Sequence, residues 1–346
     1  MVTRELPVPS FFDAAAADTM FQVKYQALYK EGLAWAKYHG VKHAATDHKR
    51  ICLMPIDCQN TFCLTSGELF VGGRSGRGAI DDNVRLCEYI YRNLGYISEI
   101  APTLDTHFLI QIFHTPFWED ANGNNPDPAT IITDVDVEKG RWRVSPRVAH
   151  ATVGAGGYTW LQEYAQHYTR SLAKAGKFDL MVWPFHAMLG GLGHPLVSIV
   201  EQAVTFHAAC RGTQVGYEVK GGNPLTENYS VLRPEVLDAH DGRAVAQKNV
   251  RFIKKLLQYD AVVIAGQAMS HCVAWTIDDL LNEIMTQDPA LVKKVYLLRN
   301  CTSPVVIPGV VDFTDDANKA FDRFANAGMH VVETTTPMEV WPGLGL

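Results

Sequence analysis

Apolar residues along this chain fall into two alternating patterns. Short continuous runs rich in β-branched residues read as buried strands: Ile51–Ile56, 97–104, 180–183, 213–219, 261–265, 294–298 and His330–Val332. Longer stretches with apolar residues every three or four positions read as helices: 22–38, 81–94, Tyr158–Ala175, 195–211, 243–259 and 315–327. The run 108–113 (FLIQIF) also has strand-like composition, which leaves the boundary of the second strand open. Residues 115–157 are rich in Gly, Pro, Asn and Asp and read as a long loop-rich insertion, a kind of segment that usually carries function or is disordered. Strands alternating with helices predict an α/β fold of three layers, helix on sheet on helix, around a mainly parallel sheet of about six strands. The helix at 22–38 belongs to an extension that precedes this pattern and packs on it.

In parallel α/β sheets, ligands bind outside the carboxyl ends of the strands. The residues that follow the strands here are Asp57, then Asp105 and His107, then His186, Lys220 and Cys272. Each is chemically active, and so regular a placement is hard to attribute to chance. The Cys272 stretch is the most informative. Gly266 ends the apolar run 261–265, and Val273, Ile277, Leu280 and Leu281 follow at helical spacing. Cys272 is thus expected near a helix N-terminus, where the partial positive charge favours a thiolate and free N–H groups can bind an oxyanion. A lone cysteine is more often an inert buried residue. Partners change that balance: Asp57 could take the thiol proton, and Lys220 could hold the developing charge. Taken singly, Asp57 would read as a helix N-cap and Lys220 as a solvated loop cation.

A second group is Asp105, His107 and His186. Three O and N donors with room for a further ligand suit an open, catalytic metal site. His114 is a candidate fourth ligand, although most of the 13 histidines must have no such role.

Composition narrows the alternatives. The 346 residues can bury a large core, and 47% hydrophobic with 20% charged residues is ordinary for a globular protein. A formal net charge of −6 offers no case for nucleic acid. No run approaches the roughly 18 apolar residues of a membrane span. The first residues lack the apolar stretch of a signal peptide. Seven scattered cysteines without a CxxC pair point to free thiols and a cytoplasmic setting. A dinucleotide-binding oxidoreductase is disfavoured, because Gly154-Ala155-Gly156-Gly157 lacks the third glycine of the phosphate-binding turn and follows no strand.

The motifs resemble the nicotinamidase/isochorismatase-like cysteine hydrolases. They occur in the family's order: Asp57-Cys58-Gln59-Asn60-Thr61-Phe62 after the first strand, Asp105-Thr106-His107, Trp183-Pro184-Phe185-His186, Lys220-Gly221 followed by Asn228-Tyr229-Ser230, and Val263 to Thr276 around Cys272. Each block is weak alone; the ordered set, spanning most of residues 50–300, is specific. The resemblance implies an isochorismatase-like domain over 49–346, with an insertion at about 115–178 and the extension 1–48 packed on it.

It further implies a catalytic set of Asp57, Lys220 and Cys272, an oxyanion hole from Ala268 and Cys272, and a cis peptide at Gln267–Ala268. The implied metal ligands are Asp105, His107 and His186 for one divalent ion, zinc first, with iron or manganese as alternatives. His114, Phe62, Trp118 and Tyr229 are the further candidates for an extra ligand or the pocket wall. The implied activity is hydrolysis of a small carboxamide, nicotinamide foremost, by a homo-oligomer (dimer or tetramer) that binds neither nucleic acid nor membrane. The alternatives are a hydrolase of another small amide or a non-catalytic binding protein. Met269 and Ser270 depart from the Thr and Asp usual at their positions, and Ala187 from a frequent Cys. The gap between His107 and His186 is also longer than usual.

Overall fold

The sheet is organised around two fully apolar strands, β1 (Ile51–Ile56) and β6 (Ala261–Gly266), every residue of which is buried. Strands with no polar face must be covered on both sides, which is the situation of a parallel sheet between helical layers. The computed structural model describes residues 5–154, 156–175 and 178–346. Ala155, in the glycine-rich stretch weighed above, lies outside the described residues, as do residues 1–4 of the extension and 176–177 of the insertion.

In chain order the principal elements are α1 (Tyr25–His39), β1, α2 (Gly78–Arg92), β2 (Glu99–Ile100), β3 (Thr103–Asp105), α3 (Tyr158–Ala175), β4 (Leu180–Met181), α4 (Ser198–Arg211), β5 (Glu218–Lys220), α5 (Val250–Leu257), β6, α6 (Ala274–Gln287), β7 (Val295–Leu298), α7 (Thr314–Asn326) and β8 (His330–Val332). The central sheet runs β8-β7-β6-β1-β2, all parallel. Alternate residues face opposite ways. Leu53, Val263 and Leu298 pack on α2 and α4; Met54, Ile264 and Leu297 pack on α5, α6 and α7. Ahead of β1, α1 lies along α4, so close that a Cβ on Gly32 would fall 2.7 Å from that of Ala209.

Several expectations about the elements are corrected. The stretch 97–104 is split at Ala101–Pro102, because proline has no N–H for the ladder. Beyond the break, β3 pairs in parallel with β5, and the N–H groups of Gly216 and Glu218 reach the carbonyls of Ile100 and Pro102. The ladder therefore continues to a sixth position, although only Glu218–Lys220 of the stretch 213–219 is strand. Residues 108–113 form no strand. The Gln111 side chain binds the backbone of Phe108, Gly221 and Asn223, doing what a neighbouring strand would otherwise do.

The strand before His186, β4, lies outside the central sheet and pairs antiparallel with Ile131–Ile132. The stretch expected to be loop holds short pieces of structure, among them the helix Asp134–Glu138 with a Thr133/Asp136 capping box and the helix Pro146–Val153. These pack with α3 around a separate cluster that includes Phe117, Trp118 and Tyr168. No helix among the described residues is long and apolar enough to cross a membrane.

Candidate active site

The carboxyl ends of β1, β3, β5 and β6 meet at one point. At the end of β1 the backbone turns through Asp57, whose φ of 47° lies in the left-handed region. Its side chain caps no helix: the next short helix, Asn60–Cys63, starts after Gln59. Instead Asp57 Oδ2 lies 2.9 Å from Lys220 Nζ. The Thr103 hydroxyl donates to Asp57 Oδ1 at 2.5 Å and accepts from the Asp57 N–H at 3.1 Å. Lys220, at the end of β5, is no solvated cation, because its side chain is only 2% exposed. Its ammonium also lies 3.0 Å from Asp105 Oδ1 and 3.6 Å from Cys272 Sγ, so its three N–H donors face three partners. The Gln59 amide locks β1 to β3 by accepting from the Asp105 N–H and donating to the Asp105 carbonyl, both at 2.8 Å.

Cys272 sits one turn before α6, in the wide turn Met269–Val273 that follows the cis Gln267–Ala268 peptide. Its protonation reverses the sequence expectation. Burial pushes the thiol well above its usual pKa, and the Asp57 and Asp105 carboxylates add to this against the opposing pull of Lys220. Desolvation outweighs the helix end because Cys272 is 7% exposed. Asp57 is raised in the same way, by burial first, with Lys220 opposing. In Asp105 burial also pushes upward, but His107 and Lys220 outweigh it and hold the carboxyl low. In Lys220 burial pulls downward and the two carboxylates overcome it, so the ammonium is kept charged.

Asp105, His107 and His186 offer ligand atoms that all lie within 4.8 Å of one another. The donor chemistry fits a cation. His107 Nδ1 lies 3.2 Å from the Gly221 carbonyl and His186 Nδ1 2.8 Å from the Pro184 carbonyl, contacts that require N–H at both atoms. When neutral, each ring then presents a lone pair on Nε2. His107 Nε2 then faces Asp105 Oδ2 at 3.0 Å, two acceptors that need a proton or a cation between them. A backbone carbonyl behind each imidazole also fixes its orientation, as around metal-bound histidines. His114 is not in this group. Its Nδ1 meets the Phe108 carbonyl, its Nε2 is buried without a hydrogen-bond partner among the described residues, and burial lowers its pKa to about 4.

A cavity of about 50 Å³ opens onto Cys272 and this triad, walled by Phe62, Leu69, Phe113, Trp183, Tyr229 and Ala268 among others. Phe62 and Tyr229 are thus on the wall. Trp118 is not; it is fully buried in the separate cluster around α3, with its indole N–H on the Ile112 carbonyl.

Sequence reasoning missed three residues here. Thr103 holds Asp57. Glu227 lines the cavity, accepts from the hydroxyls of Tyr229 (2.6 Å) and Tyr168 (2.8 Å), and is raised by burial to about 7. His271 lines the cavity beside the thiol. The pair Glu227 and Tyr229 shows no periodicity, so nothing in the sequence marks Glu227; His271 stands next to Cys272 and could have been weighed.

No protein-family model matches this chain, and no curated protein matches it in sequence. Solved structures do resemble it. The yeast nicotinamidase bound to the inhibitor nicotinaldehyde is 20% identical, with 82% of this chain and 99% of that one covered and a TM-score of 0.49. The Pyrococcus horikoshii pyrazinamidase in complex with zinc is 16% identical over 82% and 98% of the two chains, at 0.43. An isochorismatase-like hydrolase from Alkaliphilus metalliredigens is 12% identical over 84% and 95%, at 0.42.

Proposed function

We propose that this protein is a cysteine amidohydrolase that cleaves a small aromatic carboxamide, nicotinamide to nicotinate and ammonia in the first instance. The observation that supports it most is the contact of Lys220 with both Asp57 and Cys272, the thiol of which lines a small cavity. A binding protein gains nothing from burying a carboxylate, an ammonium and a thiol together, since buried charges are costly unless they do chemistry or are fully paired.

The roles follow from proton bookkeeping. Asp57 accepts the Cys272 thiol proton, and Lys220 stabilises the thiolate as it forms. The sulfur attacks the carboxamide carbon. The N–H groups of Ala268 and Cys272 receive the oxygen as it gains charge. Asp57 returns its proton to the departing ammonia. Water then attacks the thioester with Asp57 again as base, releasing the carboxylate and restoring the thiol. A carboxyl raised by burial suits this shuttle, because general acid–base catalysis works best when the group's pKa approaches the working pH.

Asp105, His107 and His186 would hold a divalent metal ion. Zinc, iron(II) and manganese all accept such ligands. When bound, the ion supplies a Lewis acid that anchors an electron-pair donor on the substrate. The cavity walls, with Phe62 and Trp183, would flank a flat ring and exclude water.

The direct test is incubation with nicotinamide and an assay for ammonia and nicotinate in equal amounts. Release of both supports the reading. No release with metal-loaded protein, alongside cleavage of another small amide, moves the assignment to that amide. No cleavage of any small amide leaves the binding-protein reading.

A further inference from the structure

His271 precedes the proposed nucleophile and is 5% exposed. Ser270 Oγ accepts from the Val305 N–H at 3.1 Å and lies 2.8 Å from His271 Nδ1. Its hydroxyl has no other acceptor among the described residues, so it donates to Nδ1, and the imidazole carries its proton on Nε2. Burial lowers the ring's pKa to about 4, so it is neutral. Aromatic rings confine it: Phe313 at 4.8 Å, Phe178 at 5.0 Å, Tyr229 at 5.6 Å and Trp183 at 5.8 Å between centroids.

The ring lines the cavity, and Nε2 has no hydrogen-bond partner among the described residues. Several other polar groups of that cavity are paired. The Tyr229 hydroxyl lies between Trp183 and Glu227, Glu227 also takes Tyr168, and Asp105 meets Lys220 and His107. A donor left unpaired in a mostly apolar cavity is costly unless a ligand meets it.

We propose that His271 is a specificity-determining contact that donates its Nε2–H to an acceptor on the substrate ring, and that Ser270 sets the tautomer that makes it a donor. This rests on the amidohydrolase reading and narrows its substrate class. The carboxamide carbon must reach Cys272, and a ring nitrogen would face Asp105, His107 and His186. His271 is a third group on the wall; its ring packs 5.8 Å from Trp183, whose ring in turn lies 6.4 Å from that of His186 (centroids). On a pyridine-3-carboxamide the one ring position adjacent neither to the nitrogen nor to the carboxamide-bearing carbon is position 5. The preferred substrate is therefore a pyridine-3-carboxamide with an oxygen or nitrogen acceptor at position 5. Ser270 stands where the resembled family has an aspartate, so this preference belongs to this chain.

The test compares nicotinamide with 5-hydroxynicotinamide in wild type, His271→Phe and His271→Gln. Wild type should favour the hydroxylated amide by about 3- to 10-fold in kcat/KM, carried by KM, the range of one ordinary hydrogen bond. His271→Phe should reduce that ratio to about one; His271→Gln, which keeps a donor, should preserve part of it. Nitrogen-15 NMR should show the Nε2–H tautomer of His271 in wild type and its loss in Ser270→Ala, a readout independent of turnover. Turnover of both amides with the same ratio in wild type and His271→Phe, or an Nδ1–H tautomer, overturns the inference and leaves the amidohydrolase reading standing. Turnover of neither amide removes both.

Discussion

Asp57 and Cys272 are raised by the same burial, and Lys220 is the one group that pulls both back. For Asp57 to act as base it must be ionised. Its pKa lies above the ordinary value of about 3.9, so activity should fall as pH drops through a midpoint above that value. The acidic limb of kcat/KM against pH measures this; a limb below 4 would mean a different base. Lys220→Met should move iodoacetamide labelling of Cys272 to higher pH and slow it about tenfold or more at neutral pH, because the thiolate loses its nearby cation. The same change leaves buried carboxylates unpaired and should cost about 3–5 kcal/mol of stability, so labelling is best followed in the cold. An unshifted profile would place Lys220 away from the thiol in solution. Cys58 and Cys63 are fully buried, with thiols raised by desolvation, and their conversion to Ala should leave the enzyme as sensitive to alkylation as before. At this scale much was legible, because Asp57, Asp105, His107, Lys220 and Cys272 each stand at a strand end. The protonation of Cys272 was not. It depends on how deeply the fold buries the thiol, and no local spacing reports that.

The elements place these residues through the pairing of β1 with β6. Gly266 ends β6 at φ 109°, and a Cβ there would fall 2.1 Å from the Ile56 carbonyl oxygen, just before Asp57. Gly266→Ala should therefore cost about 3 kcal/mol or more, as strained backbone and a backbone clash combine. Thermal unfolding measures it; an unchanged Tm would mean that the β1–β6 junction is not so close-packed. Apolar runs made β1 and β6 readable, since only a strand covered on both faces tolerates six buried residues in succession. The apolar pattern places His186 at a strand end of the same sheet; the structure does not. The short apolar run before it, β4, pairs with Ile131–Ile132 instead. A run of four apolar residues does not say which strand it will meet, and the partner lay in a stretch read as loop.

On the scale of the whole molecule, Asp105, His107 and His186 come from segments far apart in sequence, so only the folded chain assembles them. Metal removal should weaken substrate binding and orientation more than it harms the thiol. Chelator-treated protein should lose most turnover yet be alkylated at Cys272 at a near-normal rate. His186→Ala should do the same and lower the metal content by elemental analysis, whereas His114→Ala should matter less. Activity indifferent to chelator and to added divalent ions would point to a metal-free amidase. The helix α3 is legible in the sequence, but the separate cluster around it is not, because the pieces that precede α3 are too short to show a period. Its consequence is local: Trp183 and Tyr229 wall the cavity from that side. The central claim is that Cys272 forms the acyl intermediate. Rapid-quench mass spectrometry of wild type and Cys272→Ala during incubation with nicotinamide tests it most directly. The account predicts a nicotinoyl adduct on Cys272 in wild type, and neither adduct nor ammonia from a folded Cys272→Ala protein. Undiminished ammonia release by that variant would contradict it.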